Sequence, residues 1–388
     1  MHVDFVELFF LIFAGAAALG TIALATRQPI LLAYIVVGAL CGPSGLGYVS
    51  DPVLVRGMAE IGIIFLLFLL GLDMQPRALW HLLRETAVVG FGSSLVFLGG
   101  GFAVARLAGC SLVEACVIGA ACMFSSTIIG IKLLPTTVLH HKHIGELVVS
   151  LLLLQDLLAI LVLLAMAAVS AQGASAMDLA RPFIALPIII GLSLASVRWL
   201  LLPLLARFDT FHEFIFLVAI GWCLTVAVAA AEVGLSWEMG GFVAGVSLAS
   251  SPIAQYIAES LRPLRDFFLV LFFFSVGASF DLHLLSQVAI PAAALTIVML
   301  LLKPVTLRLL LKGMGEDRAT SWEVGWRLSQ LSEFSLMIAY IGAASGLLGA
   351  YASHLLQLGA ILTFALSSYA VLFRYPSPIS PIPRLRRN

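Results

Sequence analysis

The chemically most informative residues are an adjacent amide and carboxylate, Gln155 and Asp156, in the middle of the apolar stretch 142–172. As a helix rising about 1.5 Å per residue, this stretch reaches roughly 45 Å, the thickness of a bilayer with its headgroups. Asp156 then lies at mid-membrane, where a carboxylate costs on the order of 2.5–3.5 kcal/mol, so it should face protein or water. The pair predicts a site for a cation or a proton; the alternative is a structural carboxylate tied to a neighbouring helix.

Two clusters of hydroxyl residues in other apolar stretches could complete such a site. One is Ser125, Ser126 and Thr127, and the other is the stretch 328–335 (LSQLSEFS), which includes Ser332 and Glu333. Consecutive hydroxyl groups satisfy backbone groups locally and so tolerate an interrupted helix. Two interrupted helices that cross at mid-membrane would turn carbonyls and helix ends towards Asp156, which is how such folds hold a cation. The alternative is that these side chains only let helices pack closely or hydrogen-bond across them.

Lys303 lies deep in another apolar stretch, directly before Pro304. An intramembrane lysine usually pairs with an acid, and the acids at similar depth are Asp156 and Glu333. Pairing would let Lys303 neutralise the empty site and give way when a cation or proton arrives. A permanent structural pair between Lys303 and Glu333 is the alternative.

A short histidine run, His140, His141 and His143 beside Lys142, could bind a metal or sense pH. A solvated loop is the favoured interpretation, because no acid or cysteine has the spacing of a metal ligand.

Composition identifies the class of protein. The chain has 388 residues, of which 61% are hydrophobic and 11% are charged, and its mean hydropathy of +1.10 excludes an ordinary soluble protein. The formal net charge is zero, so nothing suggests nucleic-acid binding. The five cysteines form no CxxC pair and predict small buried residues rather than disulfide or zinc chemistry. We therefore expect no cofactor beyond the cation or proton that Asp156 would bind.

Apolar runs bounded by charges, proline or glycine predict thirteen transmembrane helices. The predicted spans are 5–25, 29–48, 57–74, 86–108, 111–133, 143–171, 182–205, 211–233, 236–251, 264–282, 287–311, 319–346 and 352–374. This map puts sixteen basic residues on one side of the membrane and three on the other. By the positive-inside rule, it predicts an outer N-terminus and a cytoplasmic C-terminus.

The two halves of the chain resemble each other at a nearly constant offset. The stretch 35–38 aligns with 242–245 at an offset of 207, and the stretch 66–71 aligns with 272–277 at 206. We therefore divide a transmembrane domain, 1–375, into a repeat at 5–171, a linker helix at 182–205 and a second repeat at 211–374, followed by a basic tail at 376–388. Partner helices are seven spans apart, an odd number, so the repeats are inverted, as in secondary transporters.

An ordered set of short stretches resembles the Kef-type members of the monovalent cation:proton antiporter-2 family. These stretches are 38–46 (GALCGPSGL), 60–74 (EIGIIFLLFLLGLDM), 125–127 (SST), 155–156 (QD), 234–245 (GLSWEMGGFVAG), 273–281 (FFSVGASFD) and 329–334 (SQLSEF). The resemblance implies an all-α integral membrane protein with about thirteen helices, two of them broken and crossed. It also implies a homodimer in a bacterial-type inner membrane, with a mobile core that moves like an elevator.

The resemblance also implies roles for the candidate residues. Asp156 is the cation and proton carrier with Gln155 as its neighbour, and Ser125 to Thr127 form an unwound segment. Lys303 is the core lysine, and Ser332 and Glu333 belong to the second crossing helix. Related sodium/proton antiporters have Asn-Asp or Asp-Asp at the carrier position, whereas Gln-Asp resembles the potassium-selective branch. Leu331, where the family usually has glycine, and Glu238, where it is commonly apolar, depart from the pattern.

Many Kef systems also have a cytoplasmic nucleotide-binding regulatory domain. The sequence contains no Rossmann glycine fingerprint after the last predicted span. We expect either a short form without this regulation or a regulatory domain or subunit that lies outside this chain.

These observations predict potassium/proton exchange by alternating access, with no enzymatic activity. A sodium/proton antiporter, and a potassium channel or uniporter on the same scaffold, remain alternatives. An intramembrane aspartyl protease would need two facing mid-membrane aspartates, and the sequence offers one. An organic-anion symporter would need basic residues at the site, where only Lys303 qualifies.

Overall fold

A computed structural model describes residues 5–49, 52–73, 76–135, 143–170, 176–208, 212–249, 251, 253–378, 380 and 382–386. In these ranges the chain is helical apart from turns and one isolated bridge between Ser377 and Arg386. The chain forms two compact units. The first comprises Met1–Tyr48, His81–Leu163 and Val276–Asn388, and the second comprises Val49–Trp80 and Leu164–Ser275.

The α-helices are numbered in chain order. They are α1 (Phe5–Ala25), α2 (Ile30–Cys41), α3 (Pro52–Asp73), α4 (Pro76–Leu107), α5 (Leu112–Ala121), α6 (Thr127–Lys132), α7 (His143–Ser170), α8 (Ala176–Ser196), α9 (Leu202–Arg207), α10 (His212–Glu232), α11 (Trp237–Ala249), α12 (Ala254–Ser260), α13 (Arg262–Ala278), α14 (Leu285–Gly313), α15 (Arg318–Arg327), α16 (Glu333–Ala344) and α17 (Ala350–Arg374). A π-helical turn at Val197–Leu201 joins α8 to α9, and short 3-10 turns lie at Leu282–Leu284 and Pro383–Leu385.

The helices confirm an all-α membrane protein. Within the described residues, seven helices are long and apolar enough to cross a membrane, by length and composition, and four further apolar helices are shorter. Most predicted spans correspond to one helix, whose ends lie within a few residues of the predicted ends. The count of thirteen spans stays a prediction.

Two predicted spans are each interrupted by a segment that is not helical. The span 111–133 is interrupted between α5 and α6, and the span 319–346 between α15 and α16. The ends Ala121 and Arg327 are 206 residues apart, and so are the starts Thr127 and Glu333. The two interruptions, 122–126 and 328–332, therefore occupy equivalent positions at the offset that the sequence predicted.

A pair of equivalent helix contacts also follows the repeat. Gly71 of α3 lies against the carbonyl of Phe242 in α11, and Gly277 of α13 lies against the carbonyl of Ile35 in α2. A Cβ atom at either glycine would overlap the facing carbonyl oxygen, so only glycine allows these helices to approach. Ile35 and Phe242 are 207 residues apart, and the two glycines are 206 apart. Each compact unit thus contains one copy of the same helix contact.

The first compact unit holds α7 firmly near its midpoint. Val148, Leu151 and Leu152 of α7 are fully buried, in a cluster with Leu307 of α14 and Val324 of α15. A close-packed interior tolerates little displacement of its side chains. This cluster fixes the helix one turn before Gln155 and Asp156.

Candidate functional site

Hydroxyl side chains cap the helices that follow the two interruptions. The Ser126 Oγ accepts a hydrogen bond from the backbone N–H of Ile129, 3.2 Å away, in the first turn of α6. The Ser332 Oγ accepts one from the N–H of Phe334 at 3.1 Å, and the Ser335 Oγ accepts one from the N–H of Ser332 at 3.1 Å. These bonds satisfy N–H groups that the first turn of a helix leaves without an intrahelical partner. The serines therefore satisfy backbone groups at both interruptions.

Reciprocal hydrogen bonds tie the two interrupted helices together. The Ser125 hydroxyl donates to the Leu328 carbonyl at 2.8 Å, and the Ser335 hydroxyl donates to the Ala121 carbonyl at 2.7 Å. The amide of Gln330 donates to the Ser126 carbonyl at 3.4 Å. Each bond satisfies a carbonyl that the end of a helix or an interruption leaves open. The two interruptions thus meet, as the predicted crossing requires.

Gln155 and Asp156 lie against the first interruption. The Gln155 Oε1 accepts a hydrogen bond from the backbone N–H of Ser125 at 2.8 Å. The Thr127 hydroxyl lies 3.2 Å from Oδ2 and 3.3 Å from Oδ1 of Asp156, to which it donates. Only 1% of Asp156 is exposed, so the acid faces protein, as its predicted depth demands.

A second acid lies at the same crossing. Glu333 is the first residue of α16 and is half-buried. The Ser332 hydroxyl donates to its carboxyl group at 3.4 Å, and the Ser126 hydroxyl and the backbone N–H of Ile128 lie nearby. It is also close enough to Asp156 for the two carboxyl groups to interact electrostatically. The crossing therefore holds two acids, one from α7 and one from α16.

The expected pairing of Lys303 with an acid is wrong. No ion pair joins it to Asp156 or Glu333 in the described part of the chain. Its ammonium group, which is fully buried, donates instead to the carbonyl of Phe124, to the carbonyl of Gln330 at 2.9 Å and to the hydroxyl of Ser125 at 3.2 Å. The physical reason is that each interruption exposes backbone carbonyls, which surround the ammonium group without a carboxylate. Lys303 therefore links the two interruptions rather than neutralising an acid.

Sequence reasoning missed several residues around this lysine. The Phe97 ring lies under the ammonium group, with 5.1 Å between Nζ and the ring centroid. The Thr363 Oγ1 of α17 accepts a hydrogen bond from the N–H of Leu331 at 3.0 Å. Gln330 uses its amide nitrogen and backbone carbonyl at the crossing, while its Oε1 is buried and has no partner in the described residues. Gln330 could have been found from its position in the stretch SQLSEF. The sequence contained no signal for Phe97 or Thr363.

The histidine run lies mostly outside the described residues, which begin again at His143. The His143 Nε2 is 2.8 Å from the Glu316 Oε1, and its Nδ1 is 3.5 Å from the Glu146 Oε2. No group of three or more potential metal ligands is found among the residues that the structure describes. His143 thus joins the start of α7 to the segment between α14 and α15.

Comparisons with known proteins agree with this geometry. Residues 10–373 match the family model "Sodium/hydrogen exchanger, transmembrane". K(+) efflux antiporter 4 from Arabidopsis thaliana is 34% identical over 335 residues, covering 83% of this chain and 56% of that protein. The glutathione-regulated potassium-efflux system protein KefC from Klebsiella pneumoniae is 32% identical over 344 residues, covering 86% of this chain and 54% of that protein.

Among solved structures, the sodium proton antiporter MjNhaP1 from Methanocaldococcus jannaschii has a similar fold. The superposition has a TM-score of 0.71 at 15% sequence identity and covers 94% of this chain and 95% of that one. The chain spans little more than half the length of the two curated relatives named above. The chain therefore belongs to the sodium/hydrogen exchanger family, as a membrane domain of the Kef type within the monovalent cation:proton antiporter-2 group.

Proposed function

We propose that this chain exchanges a monovalent cation for a proton by alternating access, and that potassium is the favoured cation. The observation that carries the proposal is the buried carboxylate of Asp156, which bonds to Thr127 at the start of α6 beside the crossing. Burial disfavours the charged form of a carboxyl group unless a cation or hydrogen-bond donors compensate for lost water. A proton and a bare cation can each supply that compensation, and they compete for the same oxygens.

The surrounding residues divide into ligands and supports. The Thr127 hydroxyl is within bonding distance of Asp156 and can turn its oxygen towards a cation. The unpartnered Oε1 of Gln330 is a further oxygen available at the crossing. The Oε1 of Gln155, in contrast, is occupied by the N–H of Ser125. We therefore assign Gln155 the role of positioning the interruption beside Asp156, and not of binding the cation directly.

Lys303 supports a one-for-one exchange. Its donors are occupied by two carbonyls and a hydroxyl, so it contacts neither acid while Asp156 alone changes partner. One carboxylate that releases one proton for each cation bound gives an electroneutral cycle. Release of a second proton from Glu333 or Lys303 would make the cycle electrogenic.

We further propose an elevator-type cycle in an inner membrane. Asp156, Gln155, Lys303 and Glu333 all belong to the first compact unit, so that unit can carry the ion as one body. We also propose an outer N-terminus, a cytoplasmic C-terminus and a homodimer. The potassium-efflux relative is named as glutathione-regulated, which suggests that a regulatory domain or subunit acts on this membrane domain.

Sodium/proton exchange is the second candidate, and the names of the family and of the structural neighbour favour it. A potassium channel on the same scaffold is the third candidate; it would carry current without moving protons in the opposite direction. Proteoliposomes with an internal pH dye separate all three candidates, when sodium, potassium and rubidium are compared as the driving cation.

We expect Gln155→Asn to lower the ratio of potassium-driven to sodium-driven proton flux. The shorter amide cannot hold the Ser125 N–H at its present 2.8 Å without moving the interruption, so the oxygens around Asp156 shift. A change of about tenfold is the scale on which one methylene group alters discrimination in a binding pocket. Gln255→Asn, the same substitution on an exposed helix, should leave the ratio unchanged. A larger flux with sodium than with potassium in the parent would contradict potassium as the favoured cation.

A further inference from the structure

The turn between α1 and α2 contains an arginine in a conformation that favours glycine. The N–H of Gln28 donates to the Ala23 carbonyl at 2.7 Å, and the N–H of Arg27 donates to the Leu24 carbonyl at 3.0 Å. This pair of bonds is the Schellman motif, whose left-handed position is usually occupied by glycine. Arg27 occupies it here with a φ of 61°, and it is the only non-glycine residue with positive φ in the described ranges.

Arginine at this position has a cost that glycine would not have. A side chain in the left-handed region is strained, because its Cβ approaches the following carbonyl. Such outliers persist where the surrounding structure or a function requires them. The turn itself needs only a glycine, so closing the turn does not account for the guanidinium group.

Two cavities flank this arginine. One, of about 220 Å³, is lined by Arg27, Gln28 and mostly apolar residues of α1, α2 and α6, including Leu31, Ile128 and Ile129. The other, of about 250 Å³, is lined by Arg27 together with Tyr369 and Phe373 of α17. A cavity of roughly 150 Å³ can hold a benzene molecule. Either space can therefore hold part of an apolar chain whose polar end lies at Arg27.

The neighbouring residue has an unsatisfied polar side chain. Both the Oε1 and the Nε2 of Gln28 are buried, and neither has a hydrogen-bond partner in the described part of the chain. A buried amide that bonds to nothing destabilises a fold, because it has lost its water without gaining a partner. Gln28 lines the apolar cavity, so a rotation of its side chain would present the enclosed amide to a molecule in that cavity.

We propose that this turn binds a glycerophospholipid, with its phosphate on Arg27, its ester or glycerol oxygens on Gln28 and part of an acyl chain in the 220 Å³ cavity. The phosphate matches the planar donors of a guanidinium group. The apolar lining favours a lipid over free phosphate. Arg27 also lies on the side that the positive-inside rule predicts to be cytoplasmic, where basic pockets between helices bind anionic headgroups.

The lipid site adjoins the ion site through α6. Ile128 and Ile129 line the cavity, and they directly follow Thr127, which bonds to Asp156. An acyl chain in the cavity would therefore support the short half-helix on which Thr127 lies. Binding itself does not depend on the proposed exchange, so it can be tested without a transport assay.

The test uses the full chain, purified in detergent and stripped of lipid. Dioleoylphosphatidylglycerol should raise its melting temperature and appear as a bound lipid in native mass spectrometry. Dioleoylglycerol, which lacks the phosphate, and glycerol phosphate, which lacks the acyl chains, should give much smaller shifts.

Arg27→Gly separates a lipid site from a structural role. Glycine suits the left-handed position, so without lipid the variant should melt at the same temperature as the parent or higher. The shift caused by the phospholipid should be lost. Gln28→Leu should likewise keep or raise stability and weaken the shift. Arg207→Gly, which removes an exposed arginine at the end of α9, should keep the full shift.

Three outcomes would overturn the proposal. An equal phospholipid shift in the parent and Arg27→Gly would remove the arginine from the site. A full shift with dioleoylglycerol would show that the phosphate is not recognised. A full shift with glycerol phosphate alone would identify an anion site and not a lipid site.

Discussion

Asp156→Asn should reduce proton-coupled potassium flux in proteoliposomes to the rate of protein-free vesicles. The amide keeps the size of the side chain and its contact with Thr127 but can neither release a proton nor balance the charge of a bare cation. Because the proposed cycle uses one carboxylate for both ions, its removal should abolish both directions of exchange. The measurement is the change of internal pH after a potassium gradient is imposed.

Asp281→Asn is the matched control for this variant. Asp281 caps the short turn after α13 by accepting a hydrogen bond from the N–H of His283 at 2.9 Å, which an asparagine oxygen can also accept. We expect near-normal exchange. Coupled flux that persists in Asp156→Asn would refute the carrier role, whereas loss in both variants would point to a general loss of folding.

Lys303→Met should have the second largest effect. The substitution keeps a long unbranched side chain but removes the donors that serve the carbonyls of Phe124 and Gln330. Buried carbonyls left without partners cost about 1–3 kcal/mol each, although the loss of a buried charge offsets part of this cost. We expect a lower melting temperature in detergent and at least a tenfold loss of exchange. In an enzyme active site, a misplacement of about 1 Å can lower the rate by about a hundredfold, and an ion site depends on geometry in the same way.

Lys312→Met tests whether the effect belongs to the crossing. Lys312 lies on the same helix, α14, at its exposed C-terminal end. The same substitution there should leave both melting temperature and exchange close to those of the parent. If Lys303→Met kept the parent's stability and rate, the assignment of Lys303 as the link between the interruptions would be wrong.

The positions of this site's elements can be inferred from the sequence where each element has a local cause. A carboxylate at mid-membrane must be enclosed, and Asp156 is. Hydroxyl residues permit an interruption, and both interruptions contain them: Ser125 and Ser126 lie in 122–126, and Ser329 and Ser332 lie in 328–332. The offset at which the two halves of the sequence resemble each other also separates the ends of equivalent helices. The reason is that equivalent helices need equivalent residues at their contacts.

The partners of Lys303 could not be predicted in the same way. A prediction from charge pairing considers only side chains. The carbonyls of Phe124 and Gln330 become acceptors only after both helices are interrupted and brought together. The position of Gln155 is a similar case, because its partner is a backbone N–H. The turn at Arg27 could not be predicted either, because the Schellman motif usually has glycine at this position.

Proton release on cation binding tests the central claim most directly. When potassium is added to the protein in weakly buffered detergent solution, at a pH where Asp156 is protonated, we expect about one proton released for each cation bound, as one shared carboxylate requires. Apparent affinity for potassium should then rise with pH, and Asp156→Asn should release no proton. Cation binding that releases no proton at any pH, or equal release by Asp156→Asn, would contradict a single acid that holds either ion in turn.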